Sequence, residues 1–325
     1  MNDLIKHVLE RAEFMQQPPV CMDLGASGGL PFEWELLAPY SVCIAFDADD
    51  RDFVIEDQAE CGWRRLIKVN RLVCADAPGL RRFYLTQSPY CSSSLVPRNT
   101  SLKPWEFREL FEINRTVELP AVLLNDVLNE FGTNYIDWFK TDTQGTDLRL
   151  FAALPEDVRH RTLAVDFEPG IIDAYAGEDK LHDVLRYMET LPFFVSDMTV
   201  KGSRRIGKDA QELLRDSVRC ERVSLKCSPC WAEICYLNDL SAESLTIRDL
   251  LLAWVFATIK EQHGHAMLAA KTGVEKFADS IFYRCESASL DVLSGQRAQR
   301  IQKAVRRSII ARCRRRLAQL IMPSS

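Results

Sequence analysis

One stretch decides the fold: Val20-Cys21-Met22-Asp23-Leu24-Gly25-Ala26-Ser27-Gly28-Gly29-Leu30. It runs from apolar residues to an acid and then into a turn of small residues. A short apolar run of this kind is typical of a buried parallel strand, and glycine allows the chain to turn tightly. The glycine spacing is not the G-x-G-x-x-G of a dinucleotide site. The turn therefore favours a nucleoside ligand without a pyrophosphate, although a strand–turn–helix of another α/β protein has the same pattern.

Working outward from this stretch, strands alternate with helical segments. The order strand–helix–strand–helix–strand predicts an α/β fold with a Rossmann-like, doubly wound, mostly parallel sheet. The predicted strands cover residues 41–46, 65–69, 72–85, 115–119, 162–167, 193–197 and 231–237, and a further apolar strand in the stretch from Tyr135 ends in Lys140 and Asp142. The predicted helices cover residues 3–15, 31–38, 54–59, 121–131, 148–154, 179–190, 244–262, 270–283 and 295–322.

Acidic residues follow several of the predicted strands. Asp47 lies 24 residues beyond Asp23, close to where such folds place a carboxylate for ribose hydroxyls, although an acid there also caps a helix. Asp142 and Glu168 close two later strands. Because the carboxyl ends of parallel strands meet at one edge of a sheet, we expect these four acids to converge there.

Several motifs in order resemble the FkbM-type family of S-adenosylmethionine-dependent methyltransferases. The resemblance runs from about Val20 to Leu237. It is carried by Asp23-Leu24-Gly25-Ala26-Ser27-Gly28-Gly29, Phe46-Asp47-Ala48, Ser92-Ser93-Ser94-Leu95, Lys140-Thr141-Asp142-Thr143-Gln144-Gly145-Thr146-Asp147 and Asp166-Phe167-Glu168-Pro169.

The resemblance implies a class I methyltransferase fold and transfer of a methyl group from S-adenosyl-L-methionine to oxygen. The expected acceptor is a sugar hydroxyl of a glycan or a glycosylated metabolite. Segments 86–103 and 201–209 are expected to determine acceptor specificity. The residues expected to bind the cofactor are Asp23, Gly25, Ala26, Ser27, Gly29, Asp47 and Asp76.

Three side chains are candidates for catalysis. An alcohol must lose its proton as the new bond forms, which requires a nearby base. Asp142 is the first candidate for that base or for orienting the acceptor, and Glu168 is the second. Lys140 would bind the acceptor or pair with one of these acids, and ion-pair networks produce the same pattern. A Mg²⁺ ion held by these carboxylates is an alternative, so metal dependence stays open.

Charge divides the chain into an acidic body and a basic end. The net charge of the 325 residues is −5, yet residues 297–316 hold nine Lys or Arg and no acid. We expect a methyltransferase domain over residues 1–240 and a helical extension over residues 241–325 ending in a basic amphipathic helix. That helix could lie on an anionic membrane surface or dock on the acidic body. The absence of interleaved aromatic residues argues against nucleic acid as a partner.

The N-terminus lacks an apolar signal core, and the eleven cysteines are an odd number, so we expect a cytoplasmic protein with reduced thiols, peripheral on the membrane if the basic helix binds there. Cys220, Cys227, Cys230 and Cys235 would form a zinc site or, more simply, buried thiols. The alternative to an enzyme is a non-catalytic scaffold that keeps the fold and tethers a glycan-assembly complex to the membrane. The oligomeric state is left open.

Overall fold

A computed structural model describes residues 1–49, 51, 62–215 and 226–295. The helix predicted over residues 54–59 lies outside the described residues, as do Cys220 and, apart from Gly295, the predicted basic helix over residues 295–322.

The described residues form ten strands, seven of them in one sheet. In chain order the strands are β1 (Val20–Leu24), β2 (Val42–Phe46), β3 (Arg65–Val69), β4 (Leu72–Cys74), β5 (Gly79–Thr86), β6 (Ile113–Leu123), β7 (Trp138–Thr141), β8 (Ala164–Phe167), β9 (Phe193–Arg204) and β10 (Cys227–Asn238). The large sheet has the order β3-β2-β1-β7-β8-β10-β9. Its first five strands are parallel, and β10 runs antiparallel to β8 and β9. The predicted α/β class with a mostly parallel central sheet is confirmed, and it is compatible with a Rossmann-like arrangement.

Between β3 and β7 the chain leaves this sheet and builds a second one, with the order β4-β6-β5. The strands predicted over residues 72–85 and 115–119 are therefore confirmed. The helix predicted over residues 121–131 begins only at Leu124, because residues 121–123 continue β6 and pair with β4. Buried cross-strand packing at Ala121 outweighs the helical pattern there.

The described helices are α1 (Asn2–Leu9), α2 (Ala12–Gln16), α3 (Asn99–Leu102), α4 (Leu124–Glu130), α5 (Asp147–Ala152), α6 (Glu156–Arg161), α7 (Leu181–Met188), α8 (Lys208–Arg215), α9 (Ile247–Ile259) and α10 (His263–Phe277), followed by helical residues 280–295. None of these helices is both long enough and apolar enough to cross a bilayer.

Two predicted helices are wrong. Residues 31–38 form no α-helix; instead there are short 3₁₀ turns at Phe32–Trp34 and Ala38–Tyr40, because Pro39 has no N–H to extend a helix through this segment. The helix predicted over residues 270–283 is interrupted at Ala278, which adopts the left-handed conformation with φ +52°.

One face of the large sheet forms an extensive hydrophobic core. Alternate residues of β1, β2, β7 and β8 pack there against α4, α5 and α7, and the buried set includes Met22, Ile44, Phe139, Phe151, Val165 and Val184. The packed sheet is a rigid support for the acidic residues that follow its strands.

The chain divides into two compact units, one over residues 2–252 and the other from Ala253 onward, so the division falls inside α9. All of the features described below lie in the first unit.

Candidate functional site

The turn after β1 is pressed against the chain that follows β7. Gly25 has φ +91°, and a Cβ placed on it would lie 2.1 Å from the backbone oxygen of Asp142. The N–H groups of Gly25 and Ala26 both donate to the carbonyl of Phe46 at 2.9 Å. Only glycine fits at this position, so the turn lies close to both neighbouring strands.

Asp47 lies just after β2 and is hydrogen-bonded through both carboxylate oxygens. It accepts a hydrogen bond from the Ser27 hydroxyl at 2.6 Å and another from the backbone N–H of Asp49 at 2.7 Å. Burial raises the pKa of Asp47, while these two hydrogen bonds oppose the shift. Each carboxylate oxygen has a further lone pair, so Asp47 can still accept hydrogen bonds from a ligand hydroxyl.

These residues line a cleft, which we call the glycine-turn cleft. The residues that line it include Gly25, Ser27, Asp47, Asp49, Arg71 and Asp142.

A second cleft adjoins the first. We call it the aromatic cleft, because four of its rings form a continuous wall in the order Trp231, Phe107, Phe111, Tyr175, with centroids 5.4–6.4 Å apart. The two clefts share Tyr90, Asp142 and Gln144. Asp142 is therefore accessible from both sides.

Asp142 and Glu168 are the titratable pair of the site. Burial raises the pKa of each, and the repulsion between the two carboxylates raises the pKa of Glu168 further, while Lys140 opposes both shifts. Two acids in one poorly solvated place cannot both ionise easily, so the pair retains a proton at a pH where ordinary carboxyls have lost theirs.

A chain of hydrogen bonds orients Asp142. The side-chain amide of Gln144 donates to Asp142 Oδ1 at 2.6 Å, and the Tyr175 hydroxyl donates to Gln144 Oε1 at 3.0 Å. Gln144 itself has φ +58°, an uncommon backbone conformation for a residue other than glycine. The loop after β7 is thus held in one conformation that directs the Gln144 amide at Asp142.

Asp147 anchors the same loop, a role that the sequence analysis did not assign. Its buried carboxylate accepts hydrogen bonds from Thr141 Oγ1 at 3.0 Å, from the Thr143 N–H at 2.8 Å and from the Glu168 N–H at 3.1 Å. It therefore ties the ends of β7 and β8 together. The signal that could have found it is an acid directly after a glycine turn, at the start of a helix.

Asp23 and Lys140, predicted for cofactor binding and catalysis, line neither cleft. Lys140 Nζ lies 2.7 Å from Asp23 Oδ1, and Asp23 is completely buried. The other oxygen of Asp23, Oδ2, has no hydrogen-bond partner in the described part of the chain. Burial raises the pKa of Asp23, whereas Lys140 lowers it. Between β1 and β7 these residues form an ion pair in which Asp23 is buried and the Lys140 side chain is 26% exposed.

Only some of the remaining residues predicted to bind the cofactor line the glycine-turn cleft. Gly25, Ser27 and Asp47 line the glycine-turn cleft, whereas Ala26 and Gly29 do not. Asp76 is exposed and pairs with Arg81 at 2.8 Å. It lines another cleft, which shares Leu72, Val73, Ser94 and Thr146 with the glycine-turn cleft.

A hydrogen-bond network around Arg51 supports the glycine-turn cleft, and the sequence analysis missed it. Arg51 Nη2 lies 2.5 Å from Asp49 Oδ2, and the guanidinium also donates to the carbonyl of Thr86 and to the hydroxyl of Ser92 at 3.0 Å each. The network links the segment after β2 to the segment after β5, in which Ser92 and Tyr90 lie. The serine-rich run at residues 92–94 was the only sequence signal for it.

Among the described residues, no three His, Cys, Asp or Glu side chains are grouped so that they could hold a metal ion. Of the four cysteines considered for zinc, Cys227 is exposed and Cys230 and Cys235 are buried thiols. Cys220 is outside the described residues.

Comparisons with protein-family models, with curated proteins and with solved structures found no match to this chain.

Proposed function

We propose that this protein is an S-adenosyl-L-methionine-dependent O-methyltransferase of the FkbM type, acting on a hydroxyl group such as that of a sugar. The observation that carries the proposal is the meeting of the glycine-turn cleft and the aromatic cleft at Asp142. A donor and an acceptor bound in adjoining clefts would be held in a fixed mutual orientation at a shared carboxylate.

The carboxylate of Asp47 fits the ribose of S-adenosylmethionine, because its free lone pairs can accept hydrogen bonds from ribose hydroxyls. Among the described residues that line the glycine-turn cleft, Asp47, Asp49 and Asp142 are acidic and Arg71 is basic.

When bound, the cofactor would supply a methyl group attached to a positively charged sulfur, and the thioether that remains would be a good leaving group. Asp142 would accept the proton of the acceptor hydroxyl, and Gln144 would hold the carboxylate in position. Glu168, which retains its proton to higher pH than an ordinary carboxyl, would donate a hydrogen bond to the acceptor. The apolar rings of the aromatic cleft would exclude water from the reacting groups.

The test separates cofactor binding from turnover. Calorimetry with S-adenosylmethionine and with S-adenosylhomocysteine should detect binding to the wild type. Asp142→Asn should leave the affinity nearly unchanged and lower the transfer of labelled methyl groups to a panel of glycosides by about 100-fold or more.

Asp126→Asn, an exposed change on α4, is the matched control. An equal loss of binding and transfer in Asp142→Asn would contradict the assignment of Asp142 to the chemistry. If the wild type binds neither nucleoside, the scaffold hypothesis replaces the enzyme.

A further inference from the structure

The described residues that line the aromatic cleft include acidic side chains and no basic ones. Asp142, Glu168 and Glu178 line it, and no Lys, Arg or His is among the described residues that do so. Lys180, which lies 3.3 Å from Glu178, also lies 3.3 Å from Asp173. A phosphate or carboxylate entering this cleft would lose its hydration without gaining a counter-charge.

The rest of the cleft surface suits an apolar face. Phe107 lies between Trp231 and Phe111, with ring centroids 6.4 Å and 5.4 Å away. Such rings provide large, rigid contact areas.

From this arrangement we infer that the acceptor is an uncharged hydroxyl compound with an apolar face, and that compounds carrying a phosphate or a carboxylate near the reacting hydroxyl are excluded. The inference rests on the proposed methyl transfer, since it concerns the acceptor side of that site. Glu178 is a specificity-determining residue in this account, because it both lines the cleft and neutralises Lys180.

The experiment compares two probes that differ by one carboxylate: phenyl β-D-glucopyranoside and phenyl β-D-glucuronide. Their affinities for the full chain are measured by saturation-transfer NMR, with and without S-adenosylhomocysteine. We expect the glucoside to bind at least tenfold more tightly, a difference of about 1.4 kcal/mol.

The variant Glu178→Gln keeps an oxygen that can accept from the Ala174 N–H, and it removes the charge opposite Lys180. It should reduce the ratio of the two affinities at least threefold. Glu118→Gln, an exposed change on β6, should leave the ratio unchanged.

Equal affinities, tighter binding of the glucuronide, binding of neither probe, or an unchanged ratio in Glu178→Gln would each overturn the inference. The outcome is separable from that of the proposed function. Selectivity between the probes without any binding of S-adenosylhomocysteine would leave this inference standing and reject the methyltransferase. Nucleoside binding without selectivity would reject this inference alone.

Discussion

Glu168 is a carboxyl held in surroundings that disfavour its charge. It lies in the aromatic cleft, with Asp142 and Asp147 as acidic neighbours. Burial and these neighbours raise its pKa, so the folded state binds the proton more tightly than the unfolded chain does. Stability from this group is complete below the unfolded pKa and is lost as the pH rises through the folded pKa.

We therefore predict that Glu168→Gln increases the free energy of unfolding at alkaline pH. The gain should be about 1–3 kcal/mol near pH 8 and should disappear towards pH 4, because the amide never ionises. Urea unfolding across this pH range measures it, with Glu118→Gln as the exposed control. A gain that is the same at every pH would exclude ionisation as its cause.

At the scale of elements, the connection from β7 to α5 depends on a single carboxylate. Asp147 is buried at the start of α5 and accepts hydrogen bonds from β7, from the loop and from the residue after β8. Asp147→Ala leaves these buried donors without partners. We expect it to lower the free energy of unfolding by about 2–4 kcal/mol.

Thermal and urea unfolding of Asp147→Ala and of Asp126→Ala, in the first turn of α4, provide the comparison. The α4 variant should change stability by no more than about 1 kcal/mol. Similar losses in both variants would mean that the hydrogen bonds of Asp147 are not the cause.

The strands of the large sheet could be predicted from the sequence because each is a short apolar run that ends at a polar residue. The prediction for residues 65–69 coincides with β3 in both bounds. The helix predictions for residues 31–38 and 121–131 were less accurate. At the first, the helical pattern was given more weight than Pro39, which the sequence itself shows. At the second, the cross-strand pairing depends on tertiary contacts, which local periodicity does not contain.

For the site, the motifs indicated which residues follow the strands, but they did not indicate which way each side chain points. Asp142 faces the clefts, whereas Asp23 is buried inside β1 and pairs with Lys140. Side chains alternate between the two faces of a sheet, and a residue within a strand can be directed away from a site that its neighbours form. The aromatic wall had no sequence signal, because its rings come from segments far apart in the chain.

At the scale of the first compact unit, one buried ion pair joins its two ends. Arg248, in α9, makes two hydrogen bonds to Asp137, at 2.9 Å and 2.7 Å, and donates to the carbonyl of Gln17. Asp137 also accepts from the N–H of Val20, where β1 begins. The guanidinium lies 5.2 Å from the centroid of the Tyr135 ring.

Arg248→Ala should lower the free energy of unfolding by about 3–5 kcal/mol, because it leaves a buried carboxylate without its counter-charge. The double variant Arg248→Met with Asp137→Asn should recover part of this loss. A double variant that is no more stable than Arg248→Ala would show that the unpaired charge of Asp137 is not the main cause of the lost stability.

The basic C-terminal segment, which lies outside the described residues, gives a prediction for the full chain. If residues 295–325 bind an anionic surface, the intact protein should sediment with phosphatidylserine vesicles at low salt, and a chain ending at Ser294 should not. Added salt should weaken the association, since screening reduces attraction to charged lipid. A full-length protein that never binds these vesicles would exclude the membrane interpretation.

The excursion of the chain between β3 and β7 has a consequence for how the two clefts can vary. Tyr90, Phe107 and Phe111 all come from this excursion, while Gly25 and Asp47 belong to the parallel sheet and its turns. Arg71 and Ser92, also from the excursion, line the glycine-turn cleft. Replacement of this one continuous block of sequence would therefore alter the walls of both clefts at once, and it would leave the turn at Gly25 and the carboxylate of Asp47 in place.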